Sequence, residues 1–256
     1  TGLSGTTITA SKPVSVFTAN TCANVPSQIC CCDHVEEQLF GLQTWGKTYV
    51  AARHAVRNTG PTADTAWWHV IASQDMTTVS FVASPGVTGV PASPQVLQKG
   101  QVVQLGVAGP SANPGDFLVL ADKPVLVAQY MSSADATNVS STGGDPFMAQ
   151  AVPVEQFLDR YVVLAPPNWI NDRMVITKPV GATVTLDGNP VPQTSFVAIA
   201  NANNPAVWEV ARLTVTDGVH TLSGSAPFGV MIHGYDAYDS YGYPGGLNQQ
   251  VINPLN

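Results

Sequence analysis

The chain has 256 residues, enough for one large or two medium domains around a buried core. Charged residues make up 11% and hydrophobic ones 45%, a balance that excludes a disordered chain. A net charge of −7 with no basic run excludes nucleic acid as a partner, and no apolar run reaches the ~18 residues of a membrane-crossing helix. The carboxylates are 13 Asp and 4 Glu, beside 22 Gly and 20 Pro. Asp bonds its own backbone in turns, so this usage predicts an all-β protein with many loops.

In chain order, Thr6–Phe17 predicts two short strands meeting at Lys12-Pro13. The pattern returns at Phe117–Val127 around Lys123-Pro124, and more weakly at His220–Val230 around Pro227. Proline suits a strand start or edge, where its missing N–H does no harm. The preceding lysine suits an edge guarded against pairing with another sheet. Next come Cys22 and the run Cys30-Cys31-Cys32, with no cysteine elsewhere. Cys22 follows the opening hairpin and Cys32 begins the next segment. The turn-prone residues between them predict a Cys22–Cys32 disulfide, closing a loop of about ten residues and stabilising by about 2–3 kcal/mol. A bridge between neighbours is strained, so Cys30 and Cys31 are expected to pair outside the chain or stay reduced.

The lead-in segment Asp33–Gln38, running to Trp45–Val50, recurs without a gap at a shift of 112, so that Asp33 meets Asp145, Gln38 meets Gln150, Tyr49 meets Tyr161 and Val50 meets Val162. A second match, shifted by about 105, sets His69–Phe81 against Met174–Leu186, each a strand, a turn and a strand. The latter ends in the turn signal Asp187-Gly188-Asn189. These matches predict two tandem antiparallel β-sandwich units related by internal duplication, over residues 1–140 and 141–256. The first carries an N-terminal hairpin extension and the second an aromatic tail, Gly234–Gly246. Residues 132–144 form a polar linker, and single helical turns are expected at 153–158 and around 36–39.

Several motifs together resemble the N-terminal domain family of the IgG Fc-binding protein. They are Cys32-Asp33-His34 with Glu37-Gln38, Trp45-Gly46-Lys47, the Lys-Pro-Val hairpins, Gly144-Asp145-Pro146, and the ending Gly234-Tyr235 to Ser240-Tyr241-Gly242-Tyr243-Pro244-Gly245-Gly246. The resemblance covers nearly the whole chain in the same order; the three adjacent cysteines depart from it. It implies a secreted or surface-displayed module without catalysis or cofactor, whose partner is a protein or glycan at the cell surface. Homo-oligomers or larger assemblies are compatible with it. A structural subunit of a fibre, shell or appendage is the first alternative, and a surface hydrolase the second.

Catalytic chemistry needs converging groups. Of the five histidines, His34 beside Cys32 and Asp33 is the best acid–base candidate, but the second copy carries Pro146 there, so the shared fold does not need an imidazole. Adjacent side chains on an extended chain point to opposite faces, which argues against Cys30–Cys32 sharing a metal. Asp236 and Asp239 read first as turn residues and only second as calcium ligands. Asp145-Pro146 is followed by Phe147 where self-cleaving modules carry histidine, so the chain is expected to stay intact. Trp67 and Trp68 must place one ring on each face of their strand. Trp67, Trp68, Tyr238 and Tyr241 are the candidate partner contacts. Asn138-Val139-Ser140 is a glycosylation acceptor pattern. The start at Thr1-Gly2-Leu3 suggests a processed product or a piece of a longer chain.

Overall fold

The structure, a computed structural model, describes residues 3–136, 142–201 and 203–254; the Asn138 acceptor pattern lies outside them. It is all-β, built from antiparallel sheets. A two-stranded ladder of β1 (Phe17–Ala23) and β2 (Asp33–Gln38) comes first. The first sandwich follows with β3 (Thr48–Ala51), β4 (Ala66–Ala72), β5 (Thr77–Ala83), β6 (Gln95–Leu97), β7 (Val102–Val107), β8 (Phe117–Ala121), β9 (Val125–Met131) and β10 (Met148–Gln150). The second runs through β11 (Leu158–Ala165), β12 (Asn171–Pro179), β13 (Val184–Leu186), β14 (Asn189–Pro190), β15 (Phe196–Asn201), β16 (Asn204–Thr214), β17 (Gly218–Asp236) and β18 (Asp239–Pro244).

Pairing order is the same in both sandwiches. One pair of sheets runs β10-β9-β4-β7 and β3-β8-β5-β6; the other runs β18-β17-β12-β16, extended by β15, and β11-β17-β13-β14. The long β17 therefore does the work of β8 in its first half and of β9 in its second. β10, which lies beyond residue 141, completes the first sandwich.

Alternation explains the layering. On β4, Ala66, Trp68, Val70 and Ala72 face the core, while Trp67, His69 and Ile71 take the outer face. Trp68 packs edge-on against Phe117 of the facing sheet, with ring centroids 5.5 Å apart. The second core joins Tyr161, Val163 and Leu222 to Met174, Ile176 and Ile232. One tyrosine ties the two sheets together in each sandwich. The Tyr49 hydroxyl accepts from the Gly46 N–H and donates to the Val125 carbonyl, at 3.2 and 2.6 Å. That of Tyr161 accepts from the Leu158 N–H and donates to the Phe228 carbonyl.

Four expectations change. The repeat shifted by 105 holds on its second strand, where Phe81 faces Val119 as Leu186 faces Leu222, but its first strand is one residue out of register: Trp68 pairs with Gln129 and Met174 with Ile232, so Trp68, not His69, corresponds to Met174. Hydrophobicity alone did not separate neighbouring positions, although a one-residue slip changes the face. Residues 6–16 form no strand, because no sheet neighbour lies beside them. Residues 36–38 lie in β2, where pairing with Phe17–Ala19 overrides a helical turn. Cys30 and Cys31 are bonded to each other across a cis peptide that brings their Cα atoms to 3.0 Å. Cys22 and Cys32 form the other bridge, with Cα atoms 4.9 Å apart. A 3-10 turn does occupy Val154–Gln156, and another Leu42–Thr44.

The two sandwiches meet face to face. Val50, Val82 and Leu118, on the outer face of β3-β8-β5, pack on Val175, Ile199 and Val210 of β12, β15 and β16. Each fully buried aliphatic side chain contributes about 1.5–3 kcal/mol. A buried ionic cluster borders this seam. Arg53 and Arg57 both bind Asp64, at 2.6 and 2.8 Å, and Arg212 of β16 reaches across to Asp116. Asp116 also accepts the Arg53 N–H, so one carboxylate joins both sandwiches.

Candidate interaction surface

The far side of the second sandwich has no neighbour among the described residues. There the turn Pro166-Pro167-Asn168 leads from β11 towards β12, and Asn168 adopts φ +76°, a conformation asparagine tolerates better than most residues. Its N–H bonds Asp217 at 3.2 Å. This turn presents Trp169, half-buried, and Ile170, exposed. Trp169 meets Tyr241 edge-on at 5.0 Å, and Tyr241 stacks on Tyr243 at 6.3 Å. The Tyr243 hydroxyl accepts the Leu164 N–H and donates to the Leu164 carbonyl, satisfying the free edge of β11. Gly234 makes room for this row. A Cβ there would lie 2.3 Å from the Tyr241 ring, whose hydroxyl donates to Asp172.

Leu164 and Val162 extend the row with exposed aliphatic surface; Val162 is 71% exposed. Half-buried aromatic rings beside exposed aliphatics make a contiguous apolar patch. Beside it lie Asp172, buried, and Asp217, exposed. Burial raises the Asp172 carboxyl, partly offset by the Tyr241 hydroxyl, and Asp217 raises it further. Burial and the adjacent Asp172 push the Tyr241 phenol up in turn. The rings stay neutral, held by hydrogen bonds at their polar tips. Such a surface suits a partner with an apolar centre.

The sequence had singled out Tyr241, which sits in this patch. Tyr238 is exposed at the β17–β18 turn, and Tyr235 is buried against Met131 and Phe147. Trp68 is a core residue with no surface to offer, while Trp67 is half-buried on the outer face of β4. Trp169, Ile170 and Leu164 were not singled out. Pro-Pro-Asn before Trp169 was the available signal, a turn lifting a tryptophan off the sheet.

Among the described residues, no catalytic arrangement gathers around the histidines. His34 is exposed and lies 3.4 Å from Glu36. Asp236 and Asp239 accept the N–H groups of Ala237 and Ser240, closing their own turn. His54 and His233 are buried at the seam beside Phe147. Nδ1 of His54 donates to the Ala55 carbonyl, and Nε2 of His233 accepts the Ala55 N–H. Burial first, then Arg53, holds His54 well below its ordinary range. Burial and the neighbouring arginines bring His233 down to about 3. Both rings are neutral and structural. Among the described residues, the one group of three potential metal-ligating side chains is Cys30, Cys31 and Asp135, whose two sulfurs are bonded to each other.

Fold and surface together define a disulfide-bearing, tandem β-sandwich protein with an exposed apolar patch and no assembled catalytic centre among its described residues. The chain belongs to the IgGFc binding protein family, whose sequence profile matches residues 1–234. It is similar to the human IgGFc-binding protein, at 27% identity over 255 residues. That match covers 99% of this chain but 4% of the relative, so the chain spans a small part of its relative's length. No solved structure matches the chain.

Proposed function

We propose that this chain is a non-catalytic, extracellular protein-binding module that engages its partner through Trp169, Ile170, Tyr241 and Tyr243, with Leu164 and Val162 beside them. The observation that carries the reading is the aromatic row left uncovered at the end of the second sandwich. Tryptophan and tyrosine in such settings supply much of the energy of protein interfaces. Family membership supports protein binding as the activity, and the relative's name makes the Fc part of immunoglobulin G the first partner to test. Two disulfides within eleven positions support an oxidising, extracellular setting. The shared strand order and the matching tyrosine ties support a further part of the proposal. The two sandwiches are copies of one unit, divided between Gln150 and Leu158.

The test is binding of the intact chain to immobilised Fc fragment, beside the variants Trp169→Ala and Ile170→Asp. Each variant is expected to weaken binding at least about tenfold with the melting temperature unchanged. Absence of binding by the parent chain, or full binding by both variants, overturns the reading.

A further inference from the structure

At the end where the chain leaves the sheet, the opening ladder repeats the closing pair of each sandwich. After β2, β10 and β18 the chain leaves the sheet through the same contact: the N–H of Leu39 bonds Val16, that of Ala151 bonds Val127, and that of Gly245 bonds Val230, each at 2.8 Å. The registers agree as well. Phe17 faces Gln38 as Ala128 faces Gln150 and Met231 faces Pro244. The difference lies on the inner side, where β9 adjoins β4 and β17 adjoins β12, but β1 adjoins nothing.

Burial carries the same message. Aligned on its proline, the segment before β1 puts Ile8 where Val119 and Leu222 stand, and Val14 where Val125 and Phe228 stand. Those four residues are at most 3% exposed; Ile8 and Val14 are 61% and 62% exposed. The outer face of β10-β9-β4 is also unfinished. Its counterpart in the second sandwich is covered by the first sandwich, whereas here a groove of about 380 Å³ remains among Ile8, Val14, His69, Tyr130 and Met148.

We infer that residues 6–38 are the closing strands of a third sandwich, whose other strands precede residue 3 in the same polypeptide and cover the β10-β9-β4 face. The missing part corresponds to β3–β7, which with its connection to β8 spans 48–116, about 70 residues. A second copy of this chain does not fit, because its β4 and β12 already have a neighbour on each edge. Covalent continuity does fit. In both sandwiches the corresponding strands lead by a short connection, 108–116 or 215–217, straight into β8 or the first half of β17.

The test compares this chain with the same polypeptide extended upstream by at least that length, each carrying Val14→Cys and kept oxidised, by the rate of maleimide labelling. Labelling is expected to be fast in the 256-residue chain and at least about 100-fold slower in the extended one, as for a buried site reached only by local opening. Val162→Cys, the control, is expected to label fast in both. Equal Val14→Cys rates in the two chains overturn the inference. So does protection that appears in the shorter chain as its concentration rises, which would assign the surface to a second copy. A parallel readout is Val14→Asp, expected to lower the melting temperature of the extended chain alone; unchanged melting of both also overturns it. Fc binding enters none of these readings.

Discussion

Val50 and Val162 hold the same place in their sandwiches, on the first strand, one residue after the tyrosine that ties the sheets. Val50 is 6% exposed and Val162 is 71% exposed. Their strands are alike in pattern, so the difference comes from what surrounds them. Past Val50 the chain continues to Arg53, whose N–H bonds Asp116 just before β8. The corresponding residues past Val162 are Ala165, fully buried in the second core, and Val219, which is 65% exposed. Where the first sandwich meets the second, ions accompany the apolar contact of Val50, Val82 and Leu118, whereas the outer face of β11 carries the exposed aliphatics Val162 and Leu164.

The largest expected effect tests that contrast directly. Val50→Asp places an unpaired carboxylate in the seam and is expected to cost about 3–4 kcal/mol in chemical denaturation. Val162→Asp is expected to change stability by less than about 0.5 kcal/mol, as exposed substitutions do. Equal costs would mean that the second face is also covered in solution.

Next in size is the response to pH, to which the buried His233 of the seam contributes. The folded His233 titrates near 3 and its unfolded counterpart near 6.5. Between those values the unfolded chain binds a proton that the folded chain does not. Stability is therefore complete above about pH 6.5 and falls as the pH drops towards 3. A loss of about 2–3 kcal/mol by pH 4 is expected. His233→Gln should flatten that slope. Glu37 works in the opposite direction. Burial lifts it from 4.5 to about 7 despite its bond from Gln150, so its charge costs stability as the pH rises through that interval. Denaturation midpoints at several pH values, for parent, His233→Gln and Glu37→Gln, separate the two; parallel curves would refute the assignment.

The smallest effect concerns what the sandwiches share. Tyr49→Phe and Tyr161→Phe each remove one hydroxyl with a matched pair of partners, and each is expected to cost about 1–2 kcal/mol. Costs differing by more than about 1 kcal/mol would weaken the equivalence of the two units.

Much of the fold was legible because local signals repeat. Tyr49 and Tyr161 carry the same neighbours at the same spacing, and alternation on β4 fixes which of Trp67 and Trp68 enters the core. The first strand of the second repeat was read one residue out because Val70-Ile71 and Val175-Ile176 look alike while facing differently. The hairpin at 6–17 has the composition of strands, but composition does not reveal whether a partner strand is present. The seam was illegible for a different reason. Arg53, Asp64, Asp116 and Arg212 span some 160 positions, and no local pattern marks four scattered charges as one cluster. The interaction surface fell between these cases. Its tyrosines stood out as a dense tail, while Trp169 and Leu164 join them only through the crossing of β11, β12 and β18.

The continuity of β17 has a mechanical meaning. Nineteen residues run without interruption from one sheet of the second sandwich into the other, while β8 and β9 do the same work as separate strands joined at Pro124. A pull along β17 loads the ladders with β11, β13, β12 and β18 together, so that sandwich should give way in a single event. The first offers a turn at which one sheet can yield before the other. Placed in series, the two would act as a stiff link beside a more compliant one, the compliant link being held on one face by the ionic seam.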